Sequence, residues 1–197
     1  ARYPLLAESK TGYQNLCRLI THIKLRSEKG KAAATPADLE QFAEGLICLT
    51  GDETGPLAQA IAAGQGRRCL EQLTHIYGSR NVYVELQRHH LRDQEACNQQ
   101  ALALAQSLQL PLLATNGPRY AHPSQRDLHD ALTSIRHKTT IAQAGRLLSR
   151  NRERYLKTGA HMHQLFADLP QALANTITLS DRLQFALADF GYEFPRY

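Results

Sequence analysis

Short apolar runs alternate along the chain with longer amphipathic stretches, and this alternation predicts an α/β fold. We predict parallel strands near residues 3–7, 45–50, 81–86 and 111–115. Apolar residues between these runs recur at i, i+3, i+4 and i+7, the spacing of an amphipathic helix. Continuous apolar strands are typical of parallel sheets that are covered on both faces. Strands and helices in this order favour right-handed crossovers, in a sheet that is open or barrel-like.

The pattern changes after residue 121. Further on, the spacing predicts only helices, at 124–137, 141–148, 160–166 and 170–183. Asp168 lies just before Pro170 and is expected to cap the last of these helices. We therefore divide the chain into an α/β part, 1–121, and a helical extension, 122–197.

The net charge of +5 is concentrated in the helical extension. Seven basic residues and one acidic residue, Glu153, lie between positions 136 and 157. The basic residues are Arg136, Lys138, Arg146, Arg150, Arg152, Arg154 and Lys157. Such an excess favours a polyanion through counterion release, whereas a merely solvated helix face is the alternative. The seven are our candidate contacts to nucleic acid or to neighbouring domains.

The spacing of the cysteines and the hydropathy of the chain narrow the classes of protein to which it can belong. The four cysteines are far apart and form no CxxC pair, which favours small core residues in a reducing compartment. No segment approaches the roughly 20 apolar residues of a membrane span, and no signal-peptide pattern opens the chain. We expect a cytoplasmic protein with no membrane partner, and a chain that is a piece of a longer protein.

Polar residues follow three of the predicted strands at their C-terminal ends, where the active sites of α/β proteins lie. Asp52 follows the second strand, Glu85 and His89 belong to the end of the third, and Asn116 and Arg119 follow the fourth. If these strands are neighbours, the carboxylates, the imidazole and Arg119 converge. Carboxylates with an imidazole suit a divalent metal or general acid–base chemistry.

Each of these residues also has a purely structural interpretation. Asp52 precedes a predicted helix and is in a position to cap it. His89 and His90 form a polar pair of the kind usually exposed to solvent, and Glu85 is compatible with an outward-facing strand position. The pair His129 and Asp130 is most simply a surface pair on a helix.

Several segments together resemble one family over nearly all of the chain. Residues 45–51 read Gly-Leu-Ile-Cys-Leu-Thr-Gly, 83–86 Tyr-Val-Glu-Leu, 112–116 Leu-Leu-Ala-Thr-Asn and 165–170 Leu-Phe-Ala-Asp-Leu-Pro. In this order and spacing they resemble the polymerase-and-histidinol-phosphatase (PHP) domain of bacterial C-family DNA polymerases, the family of the polymerase III alpha subunit. Residues 81–89, 115–120 and 187–195 are most similar to its error-prone, translesion branch.

The resemblance implies an irregular β/α barrel, of which 1–121 is the C-terminal part, followed by a helical extension that leads toward the polymerase palm. It implies a parent enzyme that is a DNA-directed DNA polymerase, a nucleotidyltransferase that uses Mg²⁺ and copies damaged DNA. The implied partners are DNA, the remaining polymerase domains, and other replication or mutagenesis proteins.

The resemblance also implies that the PHP metal site is degenerate here. Metal-binding relatives carry Asn-Asp-x-His after the last strand, where this chain has Gly117 and Arg119 in place of the Asp and His. Asp52 stands at the usual cysteine position, and Arg2 loosely at a histidine position. We expect no cofactor and no catalytic residue in this segment, which would be a scaffold, and we expect Arg119 to fill the cavity and pair with Asp52. The alternative is an active PHP metallo-phosphoesterase or 3′–5′ exonuclease.

Overall fold

The computed structural model describes residues 1–187, so most of the predicted error-prone motif at 187–195 lies outside the described residues. The four strands are β1 (Leu5–Ala7), β2 (Leu46–Leu49), β3 (Val82–Gln87) and β4 (Leu112–Thr115). The first five helices are α1 (Lys10–Leu25), α2 (Pro36–Gln41), α3 (Pro56–Ala62), α4 (Gly66–Tyr77) and α5 (Arg92–Ser107). The extension contains α6 (Arg126–Arg136), α7 (Ile141–Ala144), α8 (Gly159–Leu165) and α9 (Pro170–Arg182). The predicted α/β class is confirmed.

The strands form one sheet in the order β1-β2-β3-β4, with β2, β3 and β4 parallel. The prediction that the first strand is also parallel is wrong, because β1 pairs antiparallel with β2, Leu5 opposite Cys48. The backbone NH of Glu8 donates to the carbonyl oxygen of Gly45 at 2.9 Å, which places the end of β1 beside the start of β2. A Cβ on Gly12 would lie 1.9 Å from that same oxygen, so a glycine is needed for α1 to begin so close to β2.

Apolar side chains cover the sheet on both faces. The larger core, on one face, includes Leu46, Cys48, Leu70, Val82, Val84, Leu86, Ala105 and Phe166. The smaller core, on the other face, is Ile47, Leu49, Tyr83, Leu113 and Leu179. This two-sided burial explains why the strands read as continuous apolar runs. Within residues 1–187 no helix is long and apolar enough to cross a membrane.

Helix α9 packs on β4, at the edge of the sheet. The side-chain amide of Asn175 donates to the backbone oxygen of Leu112 at 2.8 Å and so satisfies an acceptor of that edge strand. Ala172 lies in the larger core and Leu179 in the smaller one. The extension thus contributes to both cores, while the boundary at residue 121 stays a prediction.

Arg88 joins the end of β3 to the turn between α8 and α9. Its guanidinium donates to Asp168 Oδ1 at 2.5 Å and to the Leu165 backbone oxygen at 2.8 Å, and it lies 4.9 Å from the ring centroid of Phe166. The prediction that Asp168 caps α9 is therefore wrong, since its carboxylate is taken by Arg88 and lies outside the capping position, which is Leu169.

Helix α6 is anchored through polar groups. Asp130 is buried, accepts a hydrogen bond from the Ser149 NH at 3.0 Å and pairs with Arg126 at 3.2 Å. Arg126 in turn donates to the Ser149 backbone oxygen at 2.7 Å. The prediction of a surface pair at His129 and Asp130 is wrong for Asp130, because the neighbouring loop turns an exposed helix position into an interior one.

Because Phe166 is fully buried in the core that it shares with the sheet, replacing it should destabilise the whole chain. We expect Phe166→Ala to lower the free energy of unfolding by about 3–5 kcal/mol, in a single transition. Leu156→Ala, at an exposed leucine, should change it by less than about 0.5 kcal/mol. Urea unfolding followed by circular dichroism measures both. A separate early transition in Phe166→Ala, with the sheet unaffected, would show that the extension folds independently.

Candidate functional site

The C-terminal ends of β2, β3 and β4 border a cavity of about 620 Å³. Its lining includes Asp52, Glu85, His89 and Arg119, so the structure brings together the four residues whose convergence the sequence suggested. It also includes residues not foreseen there, chiefly Gln87 and Arg154.

The loop after β2 carries the two carboxylates of the cavity mouth. Gly51 has a φ of +77°, which the tight turn requires, and a Cβ on Gly55 would lie 2.2 Å from the Thr50 oxygen. Asp52 Oδ1 accepts hydrogen bonds from the NH of Thr54 at 2.9 Å and from its hydroxyl at 2.8 Å. Asp52 therefore caps its own turn rather than α3, and its other oxygen is left to face the cavity.

Arg154 occupies the centre of this arrangement. It is 8% exposed, and its Nη2 lies 2.5 Å from Glu53 Oε2. Its Nη1 lies 3.4 Å from Gln87 Oε1 and 3.6 Å from Asp52 Oδ2. One guanidinium thus contacts residues from β3 and from the loop after β2.

The predicted roles of two arginines are reversed. Arg119, predicted to fill the cavity and pair with Asp52, is exposed and reaches Glu53 Oε1 at 3.4 Å. Arg154, predicted to face DNA or a neighbouring domain, is the buried group. Arg154 lies 35 positions beyond Arg119, and no local pattern distinguishes it from the other arginines around it.

Asp52 is ionised in this environment. Burial alone would raise its pKa, but the hydrogen bonds from Thr54 and the charges of Arg154 and Arg119 outweigh burial and lower the pKa. The carboxylate is therefore held as the anion that the cationic cluster requires.

Residues 151–157, which we call the strap, contribute Asn151 and Arg154 to the lining of the cavity. The Arg119 NH donates to the Arg154 backbone oxygen at 2.8 Å, and the Leu156 NH donates to the Tyr120 oxygen at 3.1 Å. The strap therefore lies beside the chain that leaves β4, in the manner of a short additional strand. This pairing carries the Arg154 side chain into the cavity.

His89 is buried and has both ring nitrogens engaged. Its Nε2 lies 2.8 Å from the backbone oxygen of Asn116, to which it donates, and its Nδ1 accepts from Gln94 Nε2 at 3.0 Å. Burial lowers the pKa of His89, the bond to Asn116 opposes this, and the Arg154 charge lowers it further. The expectation of an exposed histidine pair holds only for His90. The neutral ring of His89 acts as a brace between β3 and β4.

The seven basic candidates of the extension fall into three groups. Arg136, Lys138 and Arg146 are exposed with no ion pair to another residue in 1–187, Arg150 and Arg152 are exposed and paired, and Arg154 and Lys157 are turned inward. The Lys157 side chain is 4% exposed and lies 2.9 Å from Glu153 Oε2, with the Tyr155 ring centroid 3.8 Å away. The structure therefore leaves five of the seven on the surface.

Comparison with known proteins agrees with this architecture. Residues 1–89 match the model of the PHP domain. The chain is 35% identical over 98% of its length to an error-prone DNA polymerase of Rhodopseudomonas palustris (strain BisB5), and 35% identical over 97% to one of Pseudomonas syringae pv. syringae. It is 36% identical over 92% of its length to a DNA polymerase III subunit alpha of Caulobacter vibrioides. It covers 17%, 18% and 16% of these three relatives.

The chain is similar to the PHP-containing segment of bacterial error-prone DNA polymerases and of a DNA polymerase III subunit alpha. The predicted family is thereby confirmed, and the error-prone branch is matched along nearly the whole chain. The cavity at the strand ends is then the place at which PHP relatives are expected to hold their metal ions.

The residues that the family resemblance predicts at metal-ligand positions make other interactions here. Gly117, at the expected aspartate position, has a φ of +50°, and a Cβ there would lie 2.7 Å from Gln87 Oε1. The side chain of Gln87, which Arg154 Nη1 contacts, thus uses the space that a larger residue would need. Arg2, at the loosely matched histidine position, is exposed and hydrogen-bonds through its backbone NH to Thr54.

In the described part of the chain, neighbouring side chains engage the carboxylates at the strand ends, which are not grouped around a position for a metal ion. Within residues 1–187, no group of three or more His, Cys, Asp or Glu side chains is arranged to hold one. Glu53 faces two arginines, and Glu85 Oε1 accepts from Thr115 at 2.5 Å and from Gln87 at 2.8 Å. Glu85 Oε2 is the one oxygen of these two carboxylates that is buried without a partner among the described residues.

Removing the buried guanidinium should cost much more stability than removing the exposed one. We expect Arg154→Met to lower the free energy of unfolding by about 2 kcal/mol, less than a fully buried pair costs because Glu53 is half exposed. Arg119→Met, the matched control, should cost less than about 0.5 kcal/mol. If urea titrations give equal losses of unfolding free energy for Arg154→Met and Arg119→Met, the central position of Arg154 is contradicted.

The pH dependence of stability should report the Asp52 carboxylate. Because folding lowers its pKa, ionised Asp52 contributes stability above the unfolded-state pKa, about 3.9, and loses it as pH falls through the lower folded-state pKa. We expect the stability gap between the wild type and Asp52→Asn to be largest near pH 6–7 and to close as the pH falls below about 4. Urea unfolding across this range measures the gap. A gap that does not change with pH would contradict the assignment.

Proposed function

We propose that this chain is a non-catalytic PHP scaffold of an error-prone DNA polymerase. In this scaffold the side chain of Arg154, which we call the arginine plug, takes the place of the metal site. The observation that carries the proposal is the position of Arg154 in the cavity, against Glu53, Gln87 and Asp52. The plug keeps the strand ends together, and the phosphoesterase chemistry of metal-binding PHP domains is lost.

Electrostatics support an exchange of metal for arginine. A guanidinium has donors but no lone pair to give to a metal. It repels a cation 4 Å away by about 1 to 4 kcal/mol per unit charge, for effective dielectric constants of roughly 80 to 20. The same positive charge offsets part of the repulsion between Glu53 and Asp52 at the mouth. An arginine therefore supplies the positive charge that a metal ion would provide at this position, and it opposes the binding of a metal ion there.

The function that we propose for the parent protein is DNA-templated DNA synthesis past damage, by nucleotidyl transfer with Mg²⁺ in its polymerase domains. In this proposal the segment supports those domains, and its partners are DNA, the remaining polymerase domains and other replication or mutagenesis proteins. The exposed basic residues Arg136, Lys138, Arg146, Arg150 and Arg152 remain its candidate contacts. Its site of action is the cytoplasm.

A metal titration tests the scaffold proposal. We expect isothermal titration of the chain with Mn²⁺ or Zn²⁺ to show no saturable binding that Asp52→Asn removes, up to about 1 mM metal. We also expect no hydrolysis of p-nitrophenyl phosphate esters. Gly117→Asp combined with Arg119→Asp should not restore binding, because Gln87 occupies the space beside residue 117 and the charge of Arg154 remains in the cavity.

Two results together would favour the active metallo-phosphoesterase or exonuclease instead. They are micromolar metal binding that depends on Asp52, and ester hydrolysis that a chelator abolishes. Binding that Asp52→Asn leaves intact would place the ion at a site that does not use Asp52.

A further inference from the structure

Helix α6 has the reverse of the usual amphipathic orientation. The residues that it buries are polar, Asp130 and Ser134. Its aliphatic residues Leu128, Leu132 and Ile135, spaced i, i+4 and i+7 on one face, are 60%, 57% and 72% exposed. A surface helix normally turns such a stripe toward the core.

Hydrogen bonds between Ser149 and two residues of α6, Asp130 and Arg126, fix the orientation of this helix. Asp130 Oδ1 accepts from the Ser149 NH, and Arg126 donates to the Ser149 oxygen. Burial opposes ionisation of Asp130, but the bonds from Ser149 outweigh it, and the pKa of Asp130 is lowered. Rotating the apolar face inward would break these bonds and leave a buried carboxylate uncompensated. The aliphatic face is therefore held outward.

The border of this face is cationic. Arg136 and Lys138 lie at the C-terminal end of α6, and Arg146 follows α7, which packs against α6. None of the three forms an ion pair with another residue in 1–187. From 131 to 152 the sequence has no Asp or Glu. A ligand that matches this border carries negative charge.

The combination of an aliphatic stripe and unpaired cations selects one class of ligand. Contiguous exposed aliphatic side chains mark protein–protein contacts, whereas interfaces with DNA are polar and strongly positive. An α-helix packs its own apolar ridge against such a stripe and places charged residues on the flanks. We propose that the α6 face, Leu128, Leu132 and Ile135 bordered by Arg136 and Lys138, docks an acidic amphipathic helix of a partner protein. This inference is independent of the arginine plug.

A model peptide tests this docking surface on the whole 197-residue chain. The probe is a helical peptide of about 18 residues with leucine along one face and glutamate on both flanks, labelled for fluorescence anisotropy. A scrambled peptide of the same composition and a version with lysine for glutamate are the controls. We expect micromolar binding of the probe, and binding at least about tenfold weaker for either control.

Variants on both parts of the surface assign the site. Leu132→Ser with Ile135→Ser should weaken binding at least about tenfold, whereas Leu25→Ser, at a still more exposed leucine elsewhere, should have no effect. Arg136→Gln with Lys138→Gln should weaken it about three- to tenfold, and Arg18→Gln with Lys24→Gln should not. Circular dichroism of each variant checks that it folds.

Three outcomes would overturn the proposal. One is no binding of the probe up to about 1 mM to the folded chain. Another is equal binding of the probe and the scrambled peptide, or a loss of probe affinity in Leu25→Ser as large as the loss in Leu132→Ser with Ile135→Ser. The third is tight, salt-dependent binding of duplex DNA that depends on Arg136 and Lys138 but not on Leu132, which would make this face a nucleic-acid surface.

Discussion

The buried guanidinium of Arg154 is the interaction on which the cavity depends. It ties the strap to the loop after β2 through Glu53, and to β3 through Gln87. Backbone pairing of the strap with the chain after β4 fixes the position of this side chain. The C-terminal ends of three strands are thereby held by one cation, at the place where metal-binding relatives of the family are expected to use metal ions.

The proposed replacement of a metal ion by an arginine has a physical explanation. Carboxylates gathered at strand ends repel one another and need a positive charge nearby, which a metal ion or an arginine can supply. An arginine from the chain is always present, donates directional hydrogen bonds and needs no binding equilibrium. It offers no Lewis-acid chemistry, however. A fold can therefore keep its stability after it loses a metal.

Much of the framework was predictable from the sequence, and the gaps have identifiable causes. Apolar runs located β2, β3 and β4, and parallel topology explained why polar residues such as Asp52 and His89 converge. The direction of β1 depended on the close contact of Gly12 with Gly45, which no periodicity contains. The choice of Arg154 over Arg119 is a long-range contact with no local signal. For α6, the spacing predicted the helix but not that Asp130 lies on its inner side.

The most direct test of the arginine plug is a double-mutant cycle between Arg154 and Glu53, measured by urea unfolding. The single variants Arg154→Met and Glu53→Gln are compared with the double variant. Direct pairing in the cavity predicts a coupling energy of about 1 kcal/mol or more. A coupling below about 0.3 kcal/mol would mean that the two side chains act independently and that Arg154 does not hold the strand ends together.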